Sequence, residues 1–425
     1  MREMKDSGIA WVGPMPAEWR IKRGKFTLNL LNRAIEETDE VITCFRDGEV
    51  TLRRNRREDG FTVSLKEIGY QGIEPGDLVI HGMDGFAGAI GISDSRGKSS
   101  PVLVVCDSNE NKKYIMYYLR AMAYNNVFTA LATGIRVRSC DLRWNKLAEL
   151  PYILPCVAEQ GRIVNAIESN TQKVNALIAN VQTQIEKLKA YKTSIITEAV
   201  TLGLNLSVSY KDSGLQWVPE IPDTWDNRKM ITILSMRVVD GPHESPVLHN
   251  EGIPYISATA IENGKINFDL MRGYISEEYC NLCDIRYKPQ LYDILVIKLG
   301  ASTGQVAIVE TENRFNIWVP LAAVRCNDEA DPYFVYYAFQ SDYFKRQMEL
   351  SWTYGTQQTL GVKTIERLRI LLPPLEEQKE IVAYLNDKRD RIDRLIAIKQ
   401  AKIEKLEQYK RSLIYEYVTG KKEVP

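Results

Sequence analysis

At 425 residues and 48.6 kDa the chain has room for roughly three domains of about 150 residues each, so a single small module is excluded. Its 44% hydrophobic and 26% charged residues are near the globular average, which excludes a mainly disordered chain. Its 55 Lys and Arg balance 55 Asp and Glu, removing the overall positive excess of a simple nucleic-acid binder, and no apolar run or apolar leader is long enough for a membrane span or signal peptide, so a soluble, cytoplasmic protein is expected.

The first block, Lys5-Asp6-Ser7-Gly8 followed by Trp11, Pro16 and Trp19, opens a domain expected over residues 1–154. Short β-like runs broken by Gly and Asn, such as Val102 to Val105, and one helix carrying Tyr114, Tyr117 and Tyr118 give it a mixed α and β reading. Its densest basic cluster is Arg53, Arg54, Arg56 and Arg57, which can follow a phosphate backbone or reach guanine edges, or equally form a solvated loop balanced by Glu58 and Asp59. The run Asp77-Leu78-Val79-Ile80 leads into a glycine-containing loop, His81 to Gly88, whose backbone amides can approach a phosphate. Gly91 to Ser99 resembles a phosphate-binding loop only superficially: five residues separate Gly91 from Gly97 where that motif has four, and a β-like run follows where a helix is needed. Asp77 with Glu110-Asn111-Lys112 is a loose, accidental likeness to a nuclease site. Near the domain's end, alternation in Gly134-Ile135-Arg136-Val137-Arg138 puts Arg136 and Arg138 on one face, as candidate DNA contacts.

Residues 155–205 read as a long helix. Along 164, 167, 171, 174, 178, 181, 185, 188, 192, 195 and 199, spaced alternately three and four, nine of eleven residues are apolar, which is a coiled-coil seam. Pro155 marks where it can begin, and about 40 residues at 1.5 Å each give a stiff element of about 60 Å.

The second half repeats the first. Lys211-Asp212-Ser213-Gly214, Trp217, Pro222 and Trp225 copy the opening block at an offset of 206, beginning a domain expected over 206–372. Its middle has diverged, with faint echoes in Asp293-Ile294-Leu295-Val296, Gly304, and Tyr333, Tyr336 and Tyr337. A glycine loop from Lys298 to Gly304 offers Lys298, Ser302 and Thr303 to a phosphate, with a tight turn as the alternative. Where the first domain has Arg136 and Arg138, this one has Tyr354 to Thr359. There Thr356, Gln357 and Gln358, with Lys363 beyond, can read adenine and thymine edges, or form a plain polar turn. Asp331 is a candidate cap for a helix beginning at Pro332. The aromatic pairs Tyr117-Tyr118 and Tyr336-Tyr337 have helical spacing and read as core. Residues 373–425 hold the second long helix and a tail: over 47 gapless positions, 155–201 and 373–419 share 20 identities, including Glu159-Gln160 with Glu377-Gln378. Two matching seams in one chain pair most easily with each other, antiparallel, rather than as an oligomerisation zipper.

Catalytic chemistry is missing. The three histidines, His81, His243 and His249, form no metal-binding spacing, and Cys280 and Cys283 form a CxxC with no second pair, so ordinary thiols are favoured over zinc. No nucleotide-methyltransferase signature is present. The duplicated Lys-Asp-Ser-Gly blocks with their Trp and Pro positions, and the Pro373-Pro374-Leu375-Glu376-Glu377-Gln378 helix start, resemble the specificity (S) subunits of type I restriction-modification systems over nearly the whole chain. The first helix start, Leu154-Pro155-Cys156-Val157-Ala158-Glu159-Gln160, lacks the second Pro.

That resemblance implies an α+β fold: two α/β target-recognition domains separated by two long helices in an antiparallel coiled coil, with an internal pseudo-twofold repeat. It also implies a noncatalytic DNA-binding subunit. Each domain would read half of a bipartite double-stranded site, and the helices would set the spacer and dock two DNA methyltransferase (M) subunits that methylate adenine, with restriction/translocase (R) subunits in the larger assembly. No cofactor is expected on this chain: S-adenosylmethionine and ATP with Mg belong to the partners. Two other readings remain open at this point, a noncatalytic coiled-coil scaffold without DNA readout and an autonomous DNA nuclease or methyltransferase. The Trp blocks either anchor the domains to the helices or offer docking surfaces. Residues 1–154 carry 22 basic and 20 acidic residues and residues 210–372 carry 16 and 21, so the second domain must read DNA through few, well-placed groups.

Overall fold

The computed structural model of the chain describes residues 2–56, 67–130, 142–354 and 358–424. It separates into two compact units, Met1–Gln182 with Ala401–Pro425, and Thr183–Gln400. Two long helices, Val157–Leu202 and Leu375–Val418, each contribute one half to each unit.

In the first unit β1 (Met4–Asp6) and β2 (Pro14–Pro16) form a hairpin, and β3 (Arg20–Arg23) anticipates the strand that precedes the first long helix. A sheet follows from β4 (Asn29–Leu30), β5 (Leu78–His81), β6 (Ile90–Ile92) and β7 (Leu103–Asp107), in the order β4-β7-β5-β6 and antiparallel throughout. The last strand, β8 (Pro151–Leu154), returns to pair with β3.

The sheet is buried on both faces. Alternation along the strands sends Leu78, Ile80, Val104 and Cys106 to one side, where the helix Lys112–Tyr124 packs through Tyr114, Ile115, Tyr118 and Met122. Val79, Leu103 and Val105 face the other side, against Ile42, Cys44, Val50 and Ile73.

The second unit repeats this order. A hairpin of β9 (Tyr210–Leu215) and β10 (Val218–Pro222) precedes β11 (Asp226–Lys229), and the sheet comprises β12 (Val239–Asp240), β13 (Ile294–Ile297), β14 (Val306–Ile308) and β15 (Leu321–Val324), in the order β12-β15-β13-β14. β16 (Arg369–Leu372) pairs with β11 just before the second long helix. The helix Pro332–Gln340 covers one face through Phe334 and Tyr337, while Leu295, Ile297 and Ala323 face Ile256 and Phe315 on the other. As expected, Asp331 caps this helix, its carboxylate accepting from the Tyr333 and Phe334 amides.

The repeated residues turn out to be attachments. In the hairpins, Asp6 and Ser7 accept from the amides of Gly8 and Ile9 at 3.0 and 3.1 Å, and Asp212 and Ser213 do the same for Gly214 and Leu215 at 2.8 and 2.9 Å. Lys5 Nζ closes the first hairpin on the Ala17 carbonyl at 2.6 Å, and Lys211 Nζ closes the second on Asp223 at 2.7 Å. Trp19 and Trp225 are fully buried, and each packs against the glycine that ends a long helix, Gly420 (φ +72°) and Gly203 (φ +75°). Trp11 and Trp217 are half-buried.

Gln160 and Gln378 are latches. Gln160 accepts from the Asn111 amide at 2.8 Å and donates to Glu110 and Pro155; Gln378 accepts from the Asp331 amide at 2.7 Å and donates to Glu329 and Pro373. Each long helix is thereby tied to the capping residue of the helix that covers its domain's sheet.

The long helices pair antiparallel through the seam read from the sequence. In the first unit Ile163, Val164 and Ile167 share a core with Leu413, Ile414 and Tyr417; in the second Ile195, Ile196 and Ala199 share one with Ile381, Val382 and Leu385. Polar residues on the seam reach across it: Lys410 to Asn175 (3.1 Å) in the first unit, Lys192 to Asp393 (2.8 Å) and Lys399 to Gln184 (2.5 Å) in the second. One set of residue numbers falls as the other rises, which fixes the antiparallel sense. No described helix is long and apolar enough to cross a membrane.

Candidate nucleic-acid interface

In the second unit the antiparallel ladder fixes which loops share an end of the sheet. Ile297 lies opposite Leu321, Val296 opposite Val306 and Asp240 opposite Ala322, so the loops after β12, between β13 and β14, and before β15 leave together. The Lys298 to Gly304 loop is one of them. It is joined by the segment ending in Thr359: Gly300 N donates to the Gln358 carbonyl (3.1 Å), Leu360 N to the Lys298 carbonyl (2.8 Å), and Thr303 Oγ1 to the carbonyls of Gly300 (2.7 Å) and Gln358 (3.3 Å). The glycine loop is therefore joined to Gln358 and Leu360, far from it in sequence.

The side chains there have different tasks. Lys298 is buried, with its ammonium 2.8 Å from the Asp240 carboxylate, which also accepts from Arg286 and lies 3.1 Å from the His243 ring. Burial alone would raise the pKa of Asp240, but Lys298 foremost, with His243 and Arg286, holds it below the usual carboxylate value. Lys298 thus fixes the base of the loop. Thr303 is also buried, Ser302 is half-buried, Gln358 is half-buried, and Lys363 is exposed on the short helix Val362–Arg367. Thr356 and Gln357 lie outside the described residues.

The first unit uses the same joint. Leu142 N donates to the Gly82 carbonyl at 2.9 Å, the counterpart of the Leu360 to Lys298 bond, so Leu142 docks on the His81 to Gly88 loop. Arg136 and Arg138 lie outside the described residues, as does Arg57. His81 Nδ1 accepts from the amides of Met83 and Asp84, and burial pushes the His81 pKa down. Arg46 holds Asp84 at 2.9 Å.

Within the arginine cluster, Arg54 and Arg56 are ion-paired. Arg54 meets Glu40 at 2.5 Å, Arg56 meets Asp47 and Glu49 at 2.6 and 3.1 Å while lying over the Phe45 ring, and Arg53 Nε donates to Thr43. Burial lowers the pKa of Arg53, whereas the hydrogen bond to Asp47 raises that of Arg56. Glu40, Asp47 and Glu49 come from neighbouring turns, a pairing that local sequence does not reveal.

The decoys resolve structurally. Asp77 is bound by Arg33 and accepts from the Glu74 amide, Glu110 belongs to the Gln160 latch, and Gly97–Ser99 is a strand. Cys280 and Cys283 lie buried on the helix Glu277–Arg286, where burial pushes the Cys280 thiol up to about 11. Among the described residues no group of three or more His, Cys, Asp or Glu could hold a metal ion. Sequence reasoning missed Asp240 and Arg286, which carry no motif: the sheet brings Asp240 to Lys298, and the helix Glu277–Arg286 brings Arg286 to Asp240.

Comparison with known proteins places this architecture. Residues 223–408 match the family described as the type I restriction modification DNA specificity domain. The putative type I restriction enzyme MjaX specificity subunit of Methanocaldococcus jannaschii is 24% identical over 96% of this chain and 95% of its own, and the type I restriction enzyme EcoKI specificity subunit of Escherichia coli K12 is 22% identical over 87% and 82%. A chain from a solved type I R-M system superimposes with a TM-score of 0.65 at 16% identity, covering 95% of this chain and 98% of that one, which shows a shared fold. Residues 223–408 thus match a type I restriction modification DNA specificity domain, and over nearly its whole length the chain is similar to the specificity subunits of type I restriction-modification systems, the noncatalytic DNA-recognition components of those enzymes.

Proposed function

We propose that this subunit reads a bipartite DNA site, one half with each recognition domain, while the paired long helices set the spacer and dock two M subunits that methylate adenine. One observation carries the reading: both units have the same sheet, hairpin and glutamine latch, yet the loops at one end of each sheet share almost no sequence. Scaffolds that need only hold partners gain nothing from such divergence. Readers of two different half-sites require it, because base identity is discriminated by side chains in loops and grooves while the phosphate backbone is uniform.

The reading surface comprises, in the first domain, the Arg53, Arg54, Arg56 and Arg57 turn and the Arg136 and Arg138 segment. In the second it comprises Ser302, Thr303, Thr356, Gln357, Gln358 and Lys363, with Lys298 holding the loop of Ser302 and Thr303. S-adenosylmethionine and ATP with Mg are assigned to the M and R subunits.

The test is co-expression with the M subunit followed by long-read mapping of methyladenine. The expected result is a split motif with a fixed unread gap, lost when this chain is omitted. Methylation at one continuous motif, or methylation independent of this chain, would leave the scaffold reading in its place.

A further inference from the structure

Arg272 stands just before the strand Gly273–Ile275, with its amide bonded to the Tyr255 carbonyl at 3.1 Å. Its guanidinium lies over the Trp318 ring, 3.5 Å from the ring centroid. The side chain is exposed, and among the described residues no carboxylate pairs with it. That sets it apart from Arg228, Arg237, Arg286, Arg314 and Arg325 in the same unit, each of which meets an Asp or Glu.

The platform beneath it is rigid. Trp318 donates from its amide to the Ile256 carbonyl (2.9 Å) and from Nε1 to the Glu244 carbonyl (3.0 Å), and packs against Tyr255, Ile275 and Cys280. Gly241 lies so close that a Cβ there would come within 2.7 Å of the Trp318 Cα, so the loop after β12 admits no side chain at that point. Trp318 also belongs to the loop end of the sheet already described: Leu321 N donates to its carbonyl, and Lys298 N donates to the carbonyl of Pro320 two residues on.

Stacking covers one face of the guanidinium and restricts its rotamers while leaving the edge nitrogens open to solvent. An arginine held this way loses little further freedom on binding a planar, two-acceptor partner. The O6 and N7 of guanine in the major groove form such a partner, matched bidentately by the guanidinium fork. From this geometry we infer that Arg272, positioned by Trp318, reads a guanine in the half-site taken by the second domain. The inference rests on the DNA-reading function proposed above and adds a residue and a base to it.

The test maps methyladenine in cells carrying this chain with its M subunit, using R272K, R272A and W318L. R272K keeps the charge and loses the planar fork. It is expected to relax one guanine position, by about tenfold to a hundredfold in discrimination, within one half of the motif. R272A should relax the same position, and W318L should relax it more weakly, because the arginine remains but is no longer held. The other half of the motif, unchanged in every variant, controls for folding. Unaltered motifs in both arginine variants would overturn the inference, as would a uniform fall in methylation with no position relaxed, which is the signature of a phosphate contact. A wild-type chain that directs no split motif would instead remove the reading on which the inference rests.

Discussion

Replacing Gln378 by alanine tests whether the repeated Glu-Gln pair exists to latch helix to domain. Gln378 is fully buried and makes three bonds: its oxygen accepts from the Asp331 amide at 2.7 Å, and its nitrogen donates to the carbonyls of Pro373 and Glu329 at 2.8 and 3.0 Å. Alanine leaves one buried amide and two carbonyls without these partners. At about 1–3 kcal/mol per unsatisfied buried group, with partial rescue of the carbonyls by water, the loss is about 3–4 kcal/mol. Urea unfolding reads the total, and hydrogen exchange at the Asp331 amide reads the site. Q160A should open the Asn111 amide instead and leave Asp331 protected. Q378E sharpens the test, since an ionised carboxylate would face two carbonyl oxygens and its folded-state pKa must rise above about 4.3. Stability is then retained below pH 4.3, where the acid is protonated in both states, and lost as pH rises through the folded pKa. A cost below about 1 kcal/mol for Q378A, with Asp331 still protected, would refute the latch.

Three further outcomes are expected. Lys298→Met removes one cation from buried Asp240 while Arg286 and His243 remain, so the cost should be about 2 kcal/mol, below the 3–5 kcal/mol of a fully stranded partner; the salt dependence of DNA binding should not change, whereas loss of a phosphate contact would lower its slope by about one. His81 should titrate by NMR with a midpoint below 6.5, because burial, reinforced by Arg46 and opposed by Asp84, disfavours its charged form. The unfolded chain then takes up the proton first, so the stabilisation from neutral His81 is complete above about pH 7 and falls as pH drops below 6.5, a loss that His81→Gln should abolish. Both Gly203→Ala and Gly420→Ala force a Cβ into a left-handed conformation at about 1–2 kcal/mol, but only at 420 does that Cβ meet Pro16 at 2.3 Å, so thermal melts should show the larger loss for Gly420→Ala.

The parts of the fold legible in the sequence were those with a period or a copy. The three-four spacing of Val174, Ile178, Val181 and Ile185 gave the seam, and these four side chains are buried on it. Duplication exposed Trp19 with Trp225 and Gln160 with Gln378 as pairs, although it could not say whether the tryptophans anchored or docked. Burial of both beside helix-ending glycines answers that they anchor. Long-range pairing was illegible: nothing in Arg20–Arg23 announces that it pairs with Pro151–Leu154, because edge pairing is set by the closed tertiary fold and leaves no local pattern. The same limit governed the candidate site. Arginines 54 and 56 read as open cations because Glu40, Asp47 and Glu49 are brought to them only by folding, and Lys298 reads as a phosphate ligand because Asp240 lies 58 positions away.

Charge totals mislead for a related reason. The second domain is acidic overall, and several of its carboxylates are spent holding arginines: Asp293 on Arg325, Asp284 on Arg314, Asp240 on Arg286 and Lys298, Glu329 on Arg228, Glu366 on Arg237. Such pairs add little long-range field, since each cancels itself within a few ångströms and salt screens the remainder beyond about 8 Å. What a DNA strand would meet at the loop end of the sheet is therefore set by the few cations left over and by how firmly each is held. An arginine neutralised by a carboxylate must give up that partner before it can take a phosphate or a base; one stacked on an indole keeps its hydrogen-bonding edge while its position is fixed. Recognition in such a domain can be built from an acidic sequence because specificity depends on the placement of unspent donors, whereas the net charge mainly sets the rate and salt dependence of the first encounter.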